Sequence, residues 1–155
     1  MKLAIDISKY QDYMTPQTWD KLATVLDGVI IRGSFGFTPD KATPVHVANA
    51  NRVGLPFCFY HWSDPTREVA PQITIICKQI ETYKPKGQFG DYEQYWSDWA
   101  AYMRQDLATA YATRYNPDKL NGFYKSFHVK GNELPVPYGC YSADWFIDKY
   151  SPGMW

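Results

Sequence analysis

Leu3-Ala4-Ile5-Asp6-Ile7-Ser8 puts Leu3, Ile5 and Ile7 on one side of an extended chain and Ala4, Asp6 and Ser8 on the other, because successive side chains of a strand point to opposite faces. Thr15-Pro16 then supplies an N-cap and an N1 proline for a helix through Trp19, Leu22, Ala23 and Leu26, with Gly28 just past its end. Val29-Ile30-Ile31-Arg32-Gly33-Ser34 is a second strand. Short apolar runs alternating with helical patterns are the sequence form of βα repeats, and they predict an α/β fold with a largely parallel sheet.

The alternation continues. Gly33 and Gly36 begin a loop, and Thr43-Pro44 opens a helix stopped by Gly54. Leu55 to Trp62 is the third strand, and its run Pro56-Phe57-Cys58-Phe59-Tyr60-His61-Trp62 is almost unbroken apolar and aromatic, suited to burial on both faces. From Glu68 to Tyr83, the residues Val69, Ile73, Ile76, Ile80 and Tyr83 recur at helical spacing. Gln88 to Gln94 is a fourth strand. Ser97 caps a helix through Trp99, Met103, Leu107, Ala110 and Arg114, which Asn116-Pro117 breaks. Residues 116–134 read as a polar, irregular loop or a short helix and turn. Pro135 to Ser142 reads as a fifth strand and Asp144 to Lys149 as a short helical stretch. No linker, low-complexity segment or close repeat divides residues 1–155, which are read as one domain.

Six Trp, thirteen Tyr and eight Phe make 17% of the chain aromatic; Tyr and Trp stack on flat apolar faces while hydrogen bonding at their edges, and sugar rings are one such partner. Sixteen basic and sixteen acidic residues balance to zero, with no basic block to follow a phosphate backbone, so nucleic acid is not an expected partner. Cys58, Cys77 and Cys140 show no metal-ligand spacing and are read as buried free thiols. No apolar run approaches the roughly 20 residues that span a bilayer. The N-terminus reaches Asp6 before a signal-peptide core could form. The expectation is a soluble protein made in the cytoplasm, with no classical export signal and no membrane association.

Gly90-Asp91-Tyr92-Glu93 ends the fourth strand with two carboxylates at i and i+2, on one face. Like charges so placed repel. Folding tolerates the pair when it is solvated, when it holds a cation, or when its pKa values are pushed apart for acid/base work. The bland reading is a solvated turn. Likewise His61 reads as a hydrogen-bonded structural histidine, Arg32 as a neutraliser of buried acids, and Trp19, Trp96 and Trp99 as packing. Tyr10, Phe35 and Phe37 follow strands one and two and are placed to line a groove.

Asp6-Ile7-Ser8-Lys9-Tyr10-Gln11, a Trp-bearing helix, Ile30-Ile31-Arg32-Gly33, Gly54-Leu55-Pro56, Tyr60-His61-Trp62 and Asp91-x-Glu93 together, in order and spacing, resemble the glycoside hydrolase family 25 lysozymes over essentially the whole chain. The resemblance implies a modified, TIM-like (β/α) barrel and cleavage of the β-1,4 bond between N-acetylmuramic acid and N-acetylglucosamine in bacterial peptidoglycan, as in phage endolysins and autolysins. It makes Glu93 the general acid, Asp91 its partner carboxylate, and Asp6 a residue that orients the sugar or its acetamido group. Tyr60, Arg32, Tyr10, Phe35, Phe37, Trp62 and Tyr141 form the expected substrate-binding set, with no metal or cofactor. Two departures stand out. Lys86-Gly87-Gln88-Phe89-Gly90 is more polar than the family's run before the acids, and Asn121 to Pro135 is insertion-like. Family domains also run longer, so the closing strands and a late acid are expected beyond Trp155, leaving an open barrel edge through which chains could associate.

Glycoside hydrolysis needs a proton on the leaving oxygen and stabilisation of an oxocarbenium-like centre. Glu93, beside Tyr92, Tyr60 and Trp62, is the candidate for the protonated carboxyl, since desolvation and the Asp91 charge both disfavour its ionised form. A 2-acetamido substrate can supply its own carbonyl oxygen as nucleophile, with Asp91 stabilising the oxazolinium. Retention and inversion both stay open. Two other classes compete: a non-catalytic peptidoglycan-binding module built on the aromatic groove, and a Mg²⁺ or Ca²⁺ hydrolase using Asp6, Asp91 and Glu93 as oxygen ligands. The scarcity of further ligand-spaced residues weighs against the second.

Overall fold

Parallel pairing sets the order of the sheet, in a computed structural model that describes residues 3–64, 67–92 and 120–125. The strands are β1 (Ala4–Ile7), β2 (Gly28–Phe35), β3 (Thr38–Pro39), β4 (Phe57–Trp62), β5 (Gly87–Tyr92) and β6 (Leu120–Lys125). The helices are α1 (Pro16–Leu22), α2 (Thr43–Arg52) and α3 (Val69–Tyr83). Among the described residues the sheet runs β1-β2-β4-β5-β6 with every neighbour parallel, and β3 folds back antiparallel on β2. That path is open from β1 to β6.

The register sorts side chains between two faces. Ile7 lies opposite Ile31 and Ile31 opposite Phe59, and all three are buried toward the helical layer. There Ile73 and Ile76 of α3 complete the core, each such side chain contributing about 1.5–3 kcal/mol by leaving water. The reverse face carries Asp6 opposite Ile30, Arg32 opposite Tyr60, and Trp62 opposite Asp91.

Local chemistry explains most boundaries. Thr15 caps α1 by accepting from the Thr18 amide, with Pro16 in the first turn, as its sequence predicts. The helix nevertheless stops at Leu22 rather than Leu26. Thr24 and Val25 donate to Lys21 and Leu22 in i→i−3 bonds, and the Thr24 hydroxyl takes the Lys21 carbonyl at 2.8 Å, so the β-branched pair closes a tight turn. Gly28 is therefore the first residue of β2 and not a helix stop.

Three further expectations are corrected. The loop expected from Gly33 starts only at Gly36, whose φ of +48° needs a residue that tolerates the left-handed region. Within that stretch Thr38–Pro39 pairs back on Ser34 and Phe35 as β3, which no local pattern in the sequence signals. Residues 120–125, read as irregular, form β6, because parallel pairing with β5 gives this polar stretch a full ladder that its local composition hides. Cys77 is only half-buried, while Cys58 is buried as expected. The expected helix from Ser97, the strand from Pro135 and the stretch from Asp144 lie outside the described residues, as do Glu93, Trp96, Trp99, Cys140 and Tyr141.

Candidate active site

Four adjacent parallel strands deliver Asp6, Arg32, Tyr60 and Asp91 to one face near their carboxyl ends, the end at which β/α barrels build their sites. Asp6 is exposed and Tyr60 half-buried, whereas Asp91 retains 5% of its accessible surface. Their electrostatic meeting point is the Tyr60 hydroxyl. Burial pushes its pKa above the usual phenol range, the Arg32 cation opposes that shift, the Asp6 and Asp91 carboxylates add to it, and a hydrogen bond with the Ser8 side chain lowers it. Tyr60 thus stays a protonated phenol beside two acids and a guanidinium.

Arg32 is held from below. Its Nε donates to Asp40 Oδ2 at 2.6 Å, and both side chains are almost wholly buried. Above it, the Tyr10 ring lies 5.4 Å and the Phe35 ring 5.9 Å from the guanidinium carbon, within the range of cation–π attraction. Phe35 in turn packs on Trp62 with ring centroids 4.8 Å apart. Phe37 lies further out, where Arg67 covers its ring at 5.1 Å. Tyr10 and Phe35 are exposed, so the mouth is rimmed by aromatic faces open to solvent, whereas the exposed Phe37 has its ring against Arg67 and is not brought against Arg32, Tyr60 or Asp91.

Tyr10 reaches Arg32 because of the turn after β1. Ser8 and Gln11 form a reciprocal capping box around Lys9–Gln11, with the Ser8 amide donating to Gln11 Oε1 at 2.8 Å and the Ser8 hydroxyl accepting from the Tyr10 amide. His46 on α2 fixes the same turn by donating Nε2–H to the Ser8 carbonyl at 3.0 Å.

His61 points the other way, into the helical layer, and is fully buried. Gln72 donates its amide to the carbonyls of Asp64, Arg67 and Glu68, which fixes its Oε1 as an acceptor. His61 therefore donates Nε2–H to that oxygen at 3.2 Å and accepts from the Ser34 hydroxyl at Nδ1, 2.8 Å away. Burial pulls its pKa down to about 4, against the hydrogen bond to Gln72. It is a neutral structural residue. Trp19 is likewise core, at 1% exposure. Among the described residues no three His, Cys, Asp or Glu side chains group as metal ligands.

Asp40, His46 and Gln72 are the supporting residues that sequence reasoning missed. Asp40 lies between a two-residue strand and a helix, with only its Oδ1 bond to the Ala42 amide at 2.9 Å as a local, sequence-readable role.

No family model matches the sequence, and no curated protein does. Solved structures do. The catalytic domain of endolysin ply40 from bacteriophage P40 of Listeria monocytogenes superposes with a TM-score of 0.67 at 21% identity, over 81% of this chain and 64% of that one. GHIP, a glycosyl hydrolase 25 of Streptococcus pneumoniae, gives 0.64 at 18% identity over 80% and 59%. The modular autolysin LytC of Streptococcus pneumoniae, in complex with a synthetic peptidoglycan ligand, gives 0.63 at 18% identity over 79% and 32%. The fold is that of the family 25 glycoside hydrolases. This chain covers less than two thirds of the length of each of these structures, and at such identities the likeness concerns architecture: a largely parallel α/β sheet with helices, as its sequence predicts.

Proposed function

We propose that the protein is a glycoside hydrolase of bacterial peptidoglycan, cleaving the β-1,4 bond between N-acetylmuramic acid and N-acetylglucosamine and acting at the cell wall. The observation that carries this reading is the meeting of Asp6, Arg32, Tyr60 and Asp91 at the carboxyl ends of neighbouring parallel strands, ringed by exposed aromatics. In this reading Glu93, two positions beyond Asp91, delivers the proton to the leaving oxygen. Asp91 stabilises the cationic centre or the substrate's own acetamido nucleophile, and Asp6 orients the sugar. Tyr60 hydrogen-bonds the substrate as a neutral phenol. Tyr10, Phe35, Phe37, Trp62 and Tyr141 supply the flat apolar surface for successive rings, and no metal takes part.

The test is clearing of a peptidoglycan suspension with release of reducing ends. Glu93→Gln is expected to lower the rate by about 10²–10⁴-fold or more without changing the melting temperature. Clearing that survives would remove Glu93 from its role, and clearing abolished by a chelator and restored by Mg²⁺ would recast the acids as ligands. The exposed aromatic rim favours one second reading, a wall-binding module without turnover. Peptidoglycan pull-down with no reducing ends released would select it.

A further inference from the structure

Asp40 joins three stretches of chain through one buried carboxylate. Oδ2 accepts from Arg32 Nε at 2.6 Å and from the Lys9 amide at 3.0 Å, Oδ1 accepts from the Ala42 amide at 2.9 Å, and the Asp40 amide itself donates to the Gly33 carbonyl at 3.2 Å. Only Nε of the guanidinium is engaged, because among the described residues Asp40 is the sole acceptor for the Arg32 side chain. The two terminal amino groups have no acceptor among the described residues, and the Tyr10 and Phe35 rings lie 5.4 Å and 5.9 Å from the guanidinium carbon.

We propose that Asp40 is a positioning residue for glycan binding, fixing Arg32 through Nε so that its terminal amino groups face the substrate between two aromatic rings. This rests on the glycan reading above. The bond to the Lys9 amide serves the same end, since the residue it anchors precedes Tyr10 in the capped turn. Asp40 also cancels the Arg32 charge. The pair therefore offers donors without net attraction for anions, which suits the hydroxyl and acetamido oxygens of an amino sugar better than a carboxylate or phosphate. The flanking rings take the C–H faces of the same sugar.

The experiment measures binding of soluble, uncrosslinked peptidoglycan glycan strands to the full chain by tryptophan fluorescence, alongside the melting temperature of each variant. Asp40→Asn and Arg32→Met are each expected to weaken binding about tenfold or more in the folded protein, and Arg32→Met is expected to add little in the Asp40→Asn background. A purely structural Asp40 would lower the melting temperature and leave the affinity of the folded fraction intact, and that result overturns the proposal. So does a double variant whose loss equals the product of the single losses. Should Asp40→Asn fail to fold, the neutral pair Arg32→Met with Asp40→Leu removes the stranded buried charge. That pair binding as tightly as the unsubstituted protein would overturn the proposal equally. An unsubstituted protein that binds strands without cleaving them defeats the hydrolase reading and leaves this one standing, whereas one that binds none defeats both.

Discussion

Phe35 lies on the same side of the sheet as Arg32, although the three-residue step between them would place the two on opposite faces of a regular strand. The register explains it: Arg32 pairs with Tyr60 and Ser34 with His61, so Gly33 is an extra residue, a bulge that reverses the phase of the strand. Ser34 thereby faces the helical layer and Phe35 faces the mouth, against Trp62.

Gly33 is required for space as well as for phase. A Cβ there would lie 2.9 Å from Ile76 Cδ1 and 3.2 Å from the Phe59 ring, both fully buried. Gly33→Ala is expected to cost about 1–3 kcal/mol in urea unfolding, the usual penalty of overpacking. An unchanged midpoint would mean that the core yields there freely.

Tyr60→Phe removes a hydroxyl that shares the mouth with Asp6, Asp91 and Ser8 while keeping the ring that packs against the core. Stability should change by no more than about 0.5–1.5 kcal/mol, the net worth of one hydrogen bond. Peptidoglycan clearing should fall by about tenfold or more, mainly in kcat if the hydroxyl meets developing charge. Full activity in the variant would make Tyr60 a packing residue.

The rim separates binding from stability. Tyr10 is 68% exposed, so Tyr10→Ala should unfold within about 0.5 kcal/mol of the parent, whereas Phe35→Ala, at 42% exposure, also loses the Trp62 contact and should cost about 0.5–1.5 kcal/mol. Each should weaken glycan-strand binding about 2–10-fold, as expected for loss of one aromatic contact. Unaltered affinity in both would dissociate these rings from the substrate.

Elements governed by local rules were legible in the sequence. Thr15-Pro16, the 4-3 spacing from Val69 to Tyr83 and the alternation of β1 each specify their own conformation, and the structure follows them. What stayed hidden depends on partners distant in the chain. β6 is a strand because β5 pairs with it, and the Gly33 bulge exists because β4 sets the register. Asp40 gains its importance from Arg32 and Lys9, 8 and 31 positions away. Asp6, Arg32, Tyr60 and Asp91 could be named because each sits near the end of a readable strand. The groups that hold them belong to turns, where no periodicity points to a partner.

His61 makes stability depend on pH with a definite sign. Its pKa is about 4 in the fold against 6.5 unperturbed, so between those values the unfolded chain binds a proton that the native state does not. Its contribution is therefore fully present above about pH 6.5 and is lost as pH falls toward about pH 4, amounting to roughly 3 kcal/mol. His61→Asn retains hydrogen-bonding atoms without the titration. It should be less stable than the parent near neutrality, because Ser34 and Gln72 lose a matched partner, and the gap should narrow steadily as the solution is acidified. Urea unfolding of both proteins at several pH values between 7 and 4.5 reads this directly, and parallel stability curves would show that His61 titrates alike in both states.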